Sequence, residues 1–183
     1  SREDVDPDRL ALYGVSMGGY FAASGAISEK RIKALIVNSP VIDLHEYLLA
    51  GGLSQLENMP EDLRLEDFDS IPDEEMNPKY KISLWNMCTR FGVSSVLSLL
   101  EHLKLFTIVQ HLQEISMPTL AMVGEGEGEI PLTQAKYFVN HISGSVALHV
   151  FDKQSGADSH CQMNNAPLSN AVLYDWLDEL FDE

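Results

Sequence analysis

The chain has 183 residues, enough for one sizeable core, and its hydrophobic share of 45% and charged share of 22% are those of an ordinary globular protein. Its 28 acidic and 12 basic side chains give a formal net charge of −16. This charge argues against a nucleic-acid partner and against anionic membranes, because binding to phosphates depends on Lys and Arg. The sequence has no apolar run of about 18 residues and no signal-peptide pattern, so we expect a cytoplasmic protein.

The two cysteines, Cys88 and Cys161, are too few for a disulfide framework. Residues 57–75 are rich in acidic side chains, and we interpret them as a solvated face or loop. The chain begins at Ser1, without Met, and reaches its first predicted strand almost at once. We therefore expect it to be cut from a longer protein.

The beginning of the chain predicts a strand, a helix and a second strand. Residues 10–15 (LALYGV) form a short apolar run that is typical of a buried parallel strand, and residues 17–30 predict the helix that follows. Residues 34–37 (ALIV) predict another buried strand, which ends at Asn38 and Pro40. The three elements together predict a right-handed βαβ unit.

Residues 44–113 interrupt this alternation and predict a helical insertion, which we interpret as a lid. Residues 79–91 and 93–106 carry two helical patterns. The second pattern has one apolar stripe, which favours a core position over the roof of a substrate cavity. The stripe consists of Val93, Val96, Leu97, Leu100, Leu103 and Phe106.

After the insertion the chain again alternates between strands and helices. The predicted strands are residues 119–124 and 146–151, and the predicted helices are residues 131–143 and 167–181. This order of elements predicts an α/β fold, in which a parallel sheet is flanked by helices. The core of the fold is assigned to residues 1–43 and 114–183.

The segment from Gly14 to Gly18 matches the pattern G-x-S-x-G, in which a serine lies on a sharp turn between a strand and a helix. Such a turn lifts the Ser16 hydroxyl clear of the sheet and directs the Met17 N–H toward the place where an oxyanion would form. We expect side chains at Gly14 and Gly18 to collide with each other and with the facing helix, while Gly19 permits close packing. Ser16 is therefore the candidate nucleophile, and the alternative is a glycine-rich turn with an inert serine.

A serine hydroxyl needs a base that takes its proton, and after such a turn the partners follow in the order carboxylate, histidine. His160 lies in the segment GADSHCQ, between the last predicted strand and the last helix, where the base is expected. The other histidines are interpreted as surface or core groups: His45, His102, His111, His141 and His149.

The triad acid is expected after the strand at residues 119–124, in the segment EGEGE. Glu127 lies three residues after Gly124 and four before Pro131, which is the usual spacing for this carboxylate. A glutamate is chemically adequate, because the acid orients the imidazole and stabilises its cation. Glu129 and Glu125 remain the alternatives.

Cys161 follows the candidate base but has no strand-to-helix turn of its own, so a packing role is favoured over a nucleophilic one. Asp158 is too close to His160 in the sequence to orient it and is expected to line the pocket. These residues lack a second ligand pair at zinc spacing, so no metal and no cofactor are expected.

Two segments, residues 6–22 (DPDRLALYGVSMGGYFA) and residues 155–181 (SGADSHCQMNNAPLSNAVLYDWLDELF), closely resemble a lidded subgroup of the α/β-hydrolase superfamily. That subgroup includes the fungal polyketide-shortening hydrolases and 2,6-dihydropseudooxynicotine hydrolase. The resemblance implies cofactor-free hydrolysis of an ester, or of a carbon–carbon bond next to a carbonyl, in a small-molecule substrate. Residue by residue, it implies a triad of Ser16, Glu127 and His160.

The same resemblance implies that four strands, and a loop that donates a second oxyanion N–H, precede Ser1 in the parent protein. We therefore expect the chain to be the C-terminal portion of the fold, to have the N-terminal half as its partner and to be inactive alone. A homodimer is left open. Two other functions also remain open: a serine peptidase of the acylaminoacyl or prolyl type, and a non-catalytic binding protein of the same fold.

Overall fold

A computed structural model describes residues 3–51 and 63–182 of the chain. The part of the acidic segment that covers residues 57–62 lies outside the described residues. The regular elements are, in chain order, β1 (Ala11–Val15), α1 (Met17–Ser28), β2 (Ala34–Asn38), α2 (Leu44–Ala50), α3 (Pro78–Phe91), α4 (Val96–Leu103), β3 (Thr119–Gly124), α5 (Glu129–His141), β4 (Val146–Phe151) and α6 (Ala166–Phe181).

The four strands form one parallel sheet in the order β1-β2-β3-β4, so the predicted α/β fold is confirmed. The register pairs Val15 of β1 with Asn38 of β2, and Asn38 with Met122 of β3. The carboxyl ends of these three strands therefore meet at one edge of the sheet. Every residue of β2 and β3 is buried, which explains why both strands are nearly continuous apolar runs in the sequence.

Helices cover both faces of the sheet. On one face, Gly14 lies so close to α1 that a Cβ on it would be 2.1 Å from the Gly18 carbonyl oxygen and 2.6 Å from the Ala22 Cβ. On the opposite face, α6 packs over a core cluster of Ile36, Leu120, Met122, Phe151, Ala157 and Leu173. Side chains along a strand point alternately to the two faces of the sheet, so the same strands pack against α1 on one face and against α6 on the other.

The chain divides into two compact units, and the boundary between them falls inside α2. One unit consists of Ser1–Tyr47 and Thr107–Glu183 and contains the sheet, while the other consists of Leu48–Phe106. The second unit has its own core of Phe68, Met76, Leu84, Val96 and Leu100. Its interpretation as a lid stays a prediction.

Two expectations about individual residues were wrong. Leu97 is 42% exposed, whereas Leu99 is fully buried, because the apolar face of α4 is rotated relative to the predicted stripe. At Gly18, a Cβ would meet no atom of the described residues within 4 Å, so no collision requires a glycine there. The expectations for Gly14 and Gly19 are confirmed, since a Cβ on Gly19 would be 2.1 Å from the Ser39 carbonyl oxygen and one on Gly14 would meet α1.

We therefore expect Gly14→Ala to destabilise the chain by more than the ~1–3 kcal/mol typical of overpacking, because the added methyl meets backbone that cannot rotate away. Gly18→Ala is the matched control, and it should be neutral or stabilising by up to about 1 kcal/mol, because alanine favours a helix. Urea unfolding of the two variants measures the difference. Equal stabilities would contradict the packing described for β1 and α1.

Candidate active site

The turn at Ser16 has the strained backbone that the glycine-rich pattern predicts. Ser16 has a φ of 56° and a ψ of −127°, in a region that side-chain-bearing residues rarely adopt. Two backbone hydrogen bonds hold it there: the Ser16 N–H donates to the Asn38 carbonyl at 2.5 Å, and the Gly19 N–H donates to the Ser16 carbonyl at 2.8 Å. The serine therefore lies at the junction of β1 and α1, at the carboxyl edge of the sheet.

Three of the predicted site residues form one chain of hydrogen bonds. The Nε2 atom of His160 lies 2.9 Å from the Ser16 hydroxyl, and its Nδ1 atom lies 2.6 Å from Oε2 of Glu127. When the neutral ring donates its Nδ1–H to the carboxylate, Nε2 is left to accept the hydroxyl proton of Ser16. This geometry is the one that proton transfer from serine to histidine needs.

The carboxylate of Glu127 is only 1% exposed and is surrounded by donors. The Ser39 hydroxyl lies 2.7 and 2.8 Å from its two oxygens, and the Gly124 N–H donates to Oε1 at 2.9 Å. The Tyr47 hydroxyl lies 3.3 Å from Oε2. Burial opposes ionisation, but the hydrogen bonds from His160, Gly124 and Ser39 outweigh it and lower the pKa of Glu127 below its ordinary value.

The turn that carries His160 rests directly on the turn that carries Glu127. The Gly126 N–H donates to the Asp158 carbonyl at 2.9 Å, and a Cβ on Gly124 would lie only 2.3 Å from the same oxygen. The glycines that alternate with glutamates in this segment therefore allow the two turns to touch. Asp158 contributes its backbone to this contact, while its carboxylate accepts a hydrogen bond from the Asn164 amide at 3.0 Å.

Cys161 lies beside the imidazole and has a left-handed backbone, with a φ of 50°. Its Sγ atom is 3.4 Å from Nε2 of His160, and its thiol donates to the Asn38 carbonyl at 3.4 Å. Hydrogen bonds with Cys161 and with Glu127 raise the pKa of His160 from 6.5 to about 10. Cys161 is thus a neighbour of the imidazole, and its packing role stays a prediction.

The remaining predicted residues lie at or near this site. Met17 is the first residue of α1, so its N–H belongs to the free amino end of that helix. Glu125 and Glu129, the alternative acids, are exposed, and neither has a hydrogen bond to His160 in the part of the chain that the structure describes. No group of three His, Cys, Asp or Glu side chains among the described residues is arranged to hold a metal ion.

Sequence reasoning missed four polar residues that contact the segments around Ser16, Glu127 and His160. They are Asn38, Ser39, Tyr47 and Gln162, all of them buried. In the sequence, Asn38 and Ser39 resemble residues that merely end a strand. The available signal was that a strand otherwise made of apolar residues ends in polar groups beside the predicted serine turn.

The arrangement of parallel strands, serine turn and histidine turn is that of the α/β-hydrolase fold, and similar solved structures confirm the expectation of this fold. Membership of the lidded subgroup stays a prediction. The solved structure of 2,6-dihydroxy-pseudo-oxynicotine hydrolase is similar over 99% of this chain and 43% of its own, with a TM-score of 0.66 and 20% identity. The α/β hydrolase GrgF from Penicillium sp. sh18 is similar over 99% of this chain and 68% of its own, with a TM-score of 0.61 and 15% identity.

A curated relative, Hydrolase ORFZ from Pyricularia oryzae, is 25% identical over an alignment 192 positions long, which covers 97% of this chain and 44% of that protein. The chain thus spans less than half the length of this relative. No protein-family model matches the sequence. None of the helices in residues 3–51 and 63–182 is both long enough and apolar enough to cross a bilayer.

The surroundings of His160 predict its titration. Because Cys161 and Glu127 stabilise the imidazolium, NMR should give a midpoint well above 6.5 and near 10. Because the pKa of His160 is higher in the folded chain, protonated His160 adds to the free energy of unfolding. This contribution is complete below pH 6.5 and is lost as the pH rises through about 10.

Two variants test this assignment. Both Cys161→Ala and Glu127→Gln should lower the midpoint, whereas Glu129→Gln, which changes an exposed glutamate two residues away, should leave it unchanged. A wild-type midpoint at or below 6.5 would contradict the described contacts.

Proposed function

We propose that the chain carries the triad of a serine hydrolase, with Ser16 as nucleophile, His160 as general base and Glu127 as the acid that orients His160. The single observation that supports this most strongly is the unbroken hydrogen-bond chain, with 2.9 Å between Ser16 and His160 and 2.6 Å between His160 and Glu127. The strained serine turn adds to it, because strain of this kind clusters at functional sites.

The reaction begins when Nε2 of His160 takes the Ser16 proton and Oγ attacks the substrate carbonyl carbon. The carbonyl oxygen becomes an oxyanion, which the Met17 N–H stabilises at the amino end of α1. His160 then returns the proton to the leaving group, and an acyl group remains on Ser16. The same imidazole then deprotonates a water molecule, whose oxygen bonds to the acyl carbon. The bond from that carbon to Oγ breaks, the imidazolium returns its proton to Oγ, and the acyl group leaves as an acid.

The proposed substrate class is a small molecule with an ester, or with a carbon–carbon bond next to a carbonyl. The leaving group is an alcohol in the first case and a stabilised carbanion in the second. The names of the relatives support hydrolysis in general, since both Hydrolase ORFZ and 2,6-dihydroxy-pseudo-oxynicotine hydrolase are named as hydrolases. A second oxyanion donor is proposed to come from outside these 183 residues, as the family resemblance implies.

A fluorophosphonate probe tests the triad, because only an activated hydroxyl reacts with it. We expect mass spectrometry to find the phosphonyl group on Ser16, to find none there in Ser16→Ala, and to find strongly slowed labelling in His160→Ala. His141→Ala is the control, since His141 is an exposed histidine on α5. A wild-type chain that stays unlabelled even when the pH is raised to about 10, where His160 loses its proton, would favour a non-catalytic binding protein.

The rate of ester hydrolysis tests separately whether a second oxyanion donor is needed. Loss of one oxyanion donor costs about 10²–10³ in turnover, so the 183-residue chain alone should hydrolyse p-nitrophenyl acetate far more slowly than ordinary esterases. The residual rate should rise with pH in the alkaline range, because the raised pKa of His160 keeps the base protonated near neutrality. An esterase-like rate would contradict the need for a second donor from elsewhere.

A further inference from the structure

Two neighbouring residues at the carboxyl end of β2 contact all three segments that carry the proposed triad. Asn38 is bonded to the serine turn and to the histidine turn, and Ser39 is bonded to Glu127. Both residues are buried, Asn38 with 1% and Ser39 with 0% of its surface exposed. Neither residue is a member of the proposed triad.

Asn38 joins the serine turn to the histidine turn. Its carbonyl accepts hydrogen bonds from the Ser16 N–H at 2.5 Å and from the Cys161 thiol at 3.4 Å. One oxygen thus contacts both Ser16 and the residue that follows His160. Its side-chain amide donates to Oε1 of Gln162 at 2.8 Å, and Gln162 is also fully buried. This amide pair ties the end of β2 to the turn that carries His160.

The histidine turn needs such an anchor, because two consecutive residues in it have unfavourable backbone. Cys161 has a φ of 50° and Gln162 a φ of 51°, in the left-handed region that residues with side chains enter at a cost. The costs persist only where surrounding contacts over-determine the conformation. The buried bond between Asn38 and Gln162 is such a contact, two residues after His160.

Ser39 restrains Glu127, the proposed acid. Its hydroxyl lies 2.7 and 2.8 Å from the two oxygens of Glu127, which restricts rotation of the carboxylate about its terminal bond. The Gly124 N–H holds only Oε1, whereas the Ser39 hydroxyl faces both oxygens. Ser39 therefore helps to keep Oε2 directed at Nδ1 of His160.

We propose that Asn38 and Ser39 are positioning residues of the triad. Asn38 holds the distance between Ser16 and His160, and Ser39 holds the orientation of the Glu127 carboxylate. The inference rests on the proposed function and adds two residues to it that act through their bonds to the segments of Ser16, His160 and Glu127. Its physical basis is that misplacement of a reacting group by about 1 Å can cost about 10²-fold in rate.

Ser39→Ala tests the acid side of the proposal. Hydrogen bonds to a charged group are among the stronger ones, so we expect the rate of Ser16 labelling by the fluorophosphonate, and kcat for an ester, to fall about tenfold, with KM unchanged. Ser169→Ala is the matched control, because Ser169 is a buried serine whose hydroxyl donates to the Ala166 carbonyl within α6. Its labelling rate should equal that of the wild-type chain.

A second measurement separates positioning from a general loss of stability. The proton between Nδ1 of His160 and Glu127, which are 2.6 Å apart, should give a low-field NMR resonance. This resonance should shift or broaden in Ser39→Ala and stay in place in Ser169→Ala. An unchanged resonance together with an unchanged labelling rate in Ser39→Ala would overturn the role of Ser39.

Gln162→Met tests the Asn38 side, because methionine keeps the buried volume but removes the acceptor of the Asn38 amide. We expect Ser16 labelling to slow about tenfold, and Asn38→Ala combined with Gln162→Met to cost much less than the sum of the two single effects. Additive effects, or labelling at the wild-type rate in Gln162→Met, would overturn the role of Asn38.

The failure of this inference is distinguishable from that of the proposed function. An unlabelled Ser16 in the wild-type chain contradicts the hydrolase itself, whereas equal labelling of the wild type and the variants contradicts only the positioning roles. The NMR resonance tests Ser39 in either case, because it reports the bond between His160 and Glu127 whether or not the chain turns over a substrate.

Discussion

The hydrogen bond between Ser16 and His160 joins residues 144 positions apart, and the rest of the site depends on it. The parallel sheet makes it possible, because the carboxyl ends of its strands meet at one edge and the turns that follow them lie side by side. The same edge receives the buried carboxylate of Glu127. A buried charge is costly unless hydrogen bonds surround it, and Ser39, Gly124 and His160 supply hydrogen bonds to Glu127.

Much of this fold is predictable because its determinants are local. β2 and β3 are buried on both faces, so they stand out as apolar runs, and the bounds of β3 and β4 agree with the runs in the sequence. Ser16 is marked by the glycines around its turn, of which Gly14 and Gly19 are required by close backbone contacts. Glu127 could be ranked above its neighbours only by spacing, and the structure supplies a physical reason: Gly124 and Gly126 let this turn approach the backbone of Asp158.

The parts that escaped prediction depend on contacts between distant segments. Asn38 and Gln162 meet across 124 positions, and Ser39 meets Glu127 across 88, so no local pattern distinguishes them from ordinary polar residues. The expectation of a crowded Gly18 failed for a related reason, since the space beside a turn depends on which segments pack there. The rotated apolar face of α4 shows the same limit for a short helix, in which neighbouring apolar residues allow more than one stripe.

A crystal structure of the chain after reaction with a fluorophosphonate tests the central claim most directly. The hydrogen-bond chain predicts phosphorus bonded to Oγ of Ser16, Nε2 of His160 within hydrogen-bond distance of the adduct, and Nδ1 still bonded to Glu127. Phosphorus on another residue, or an imidazole turned away from both partners, would contradict it.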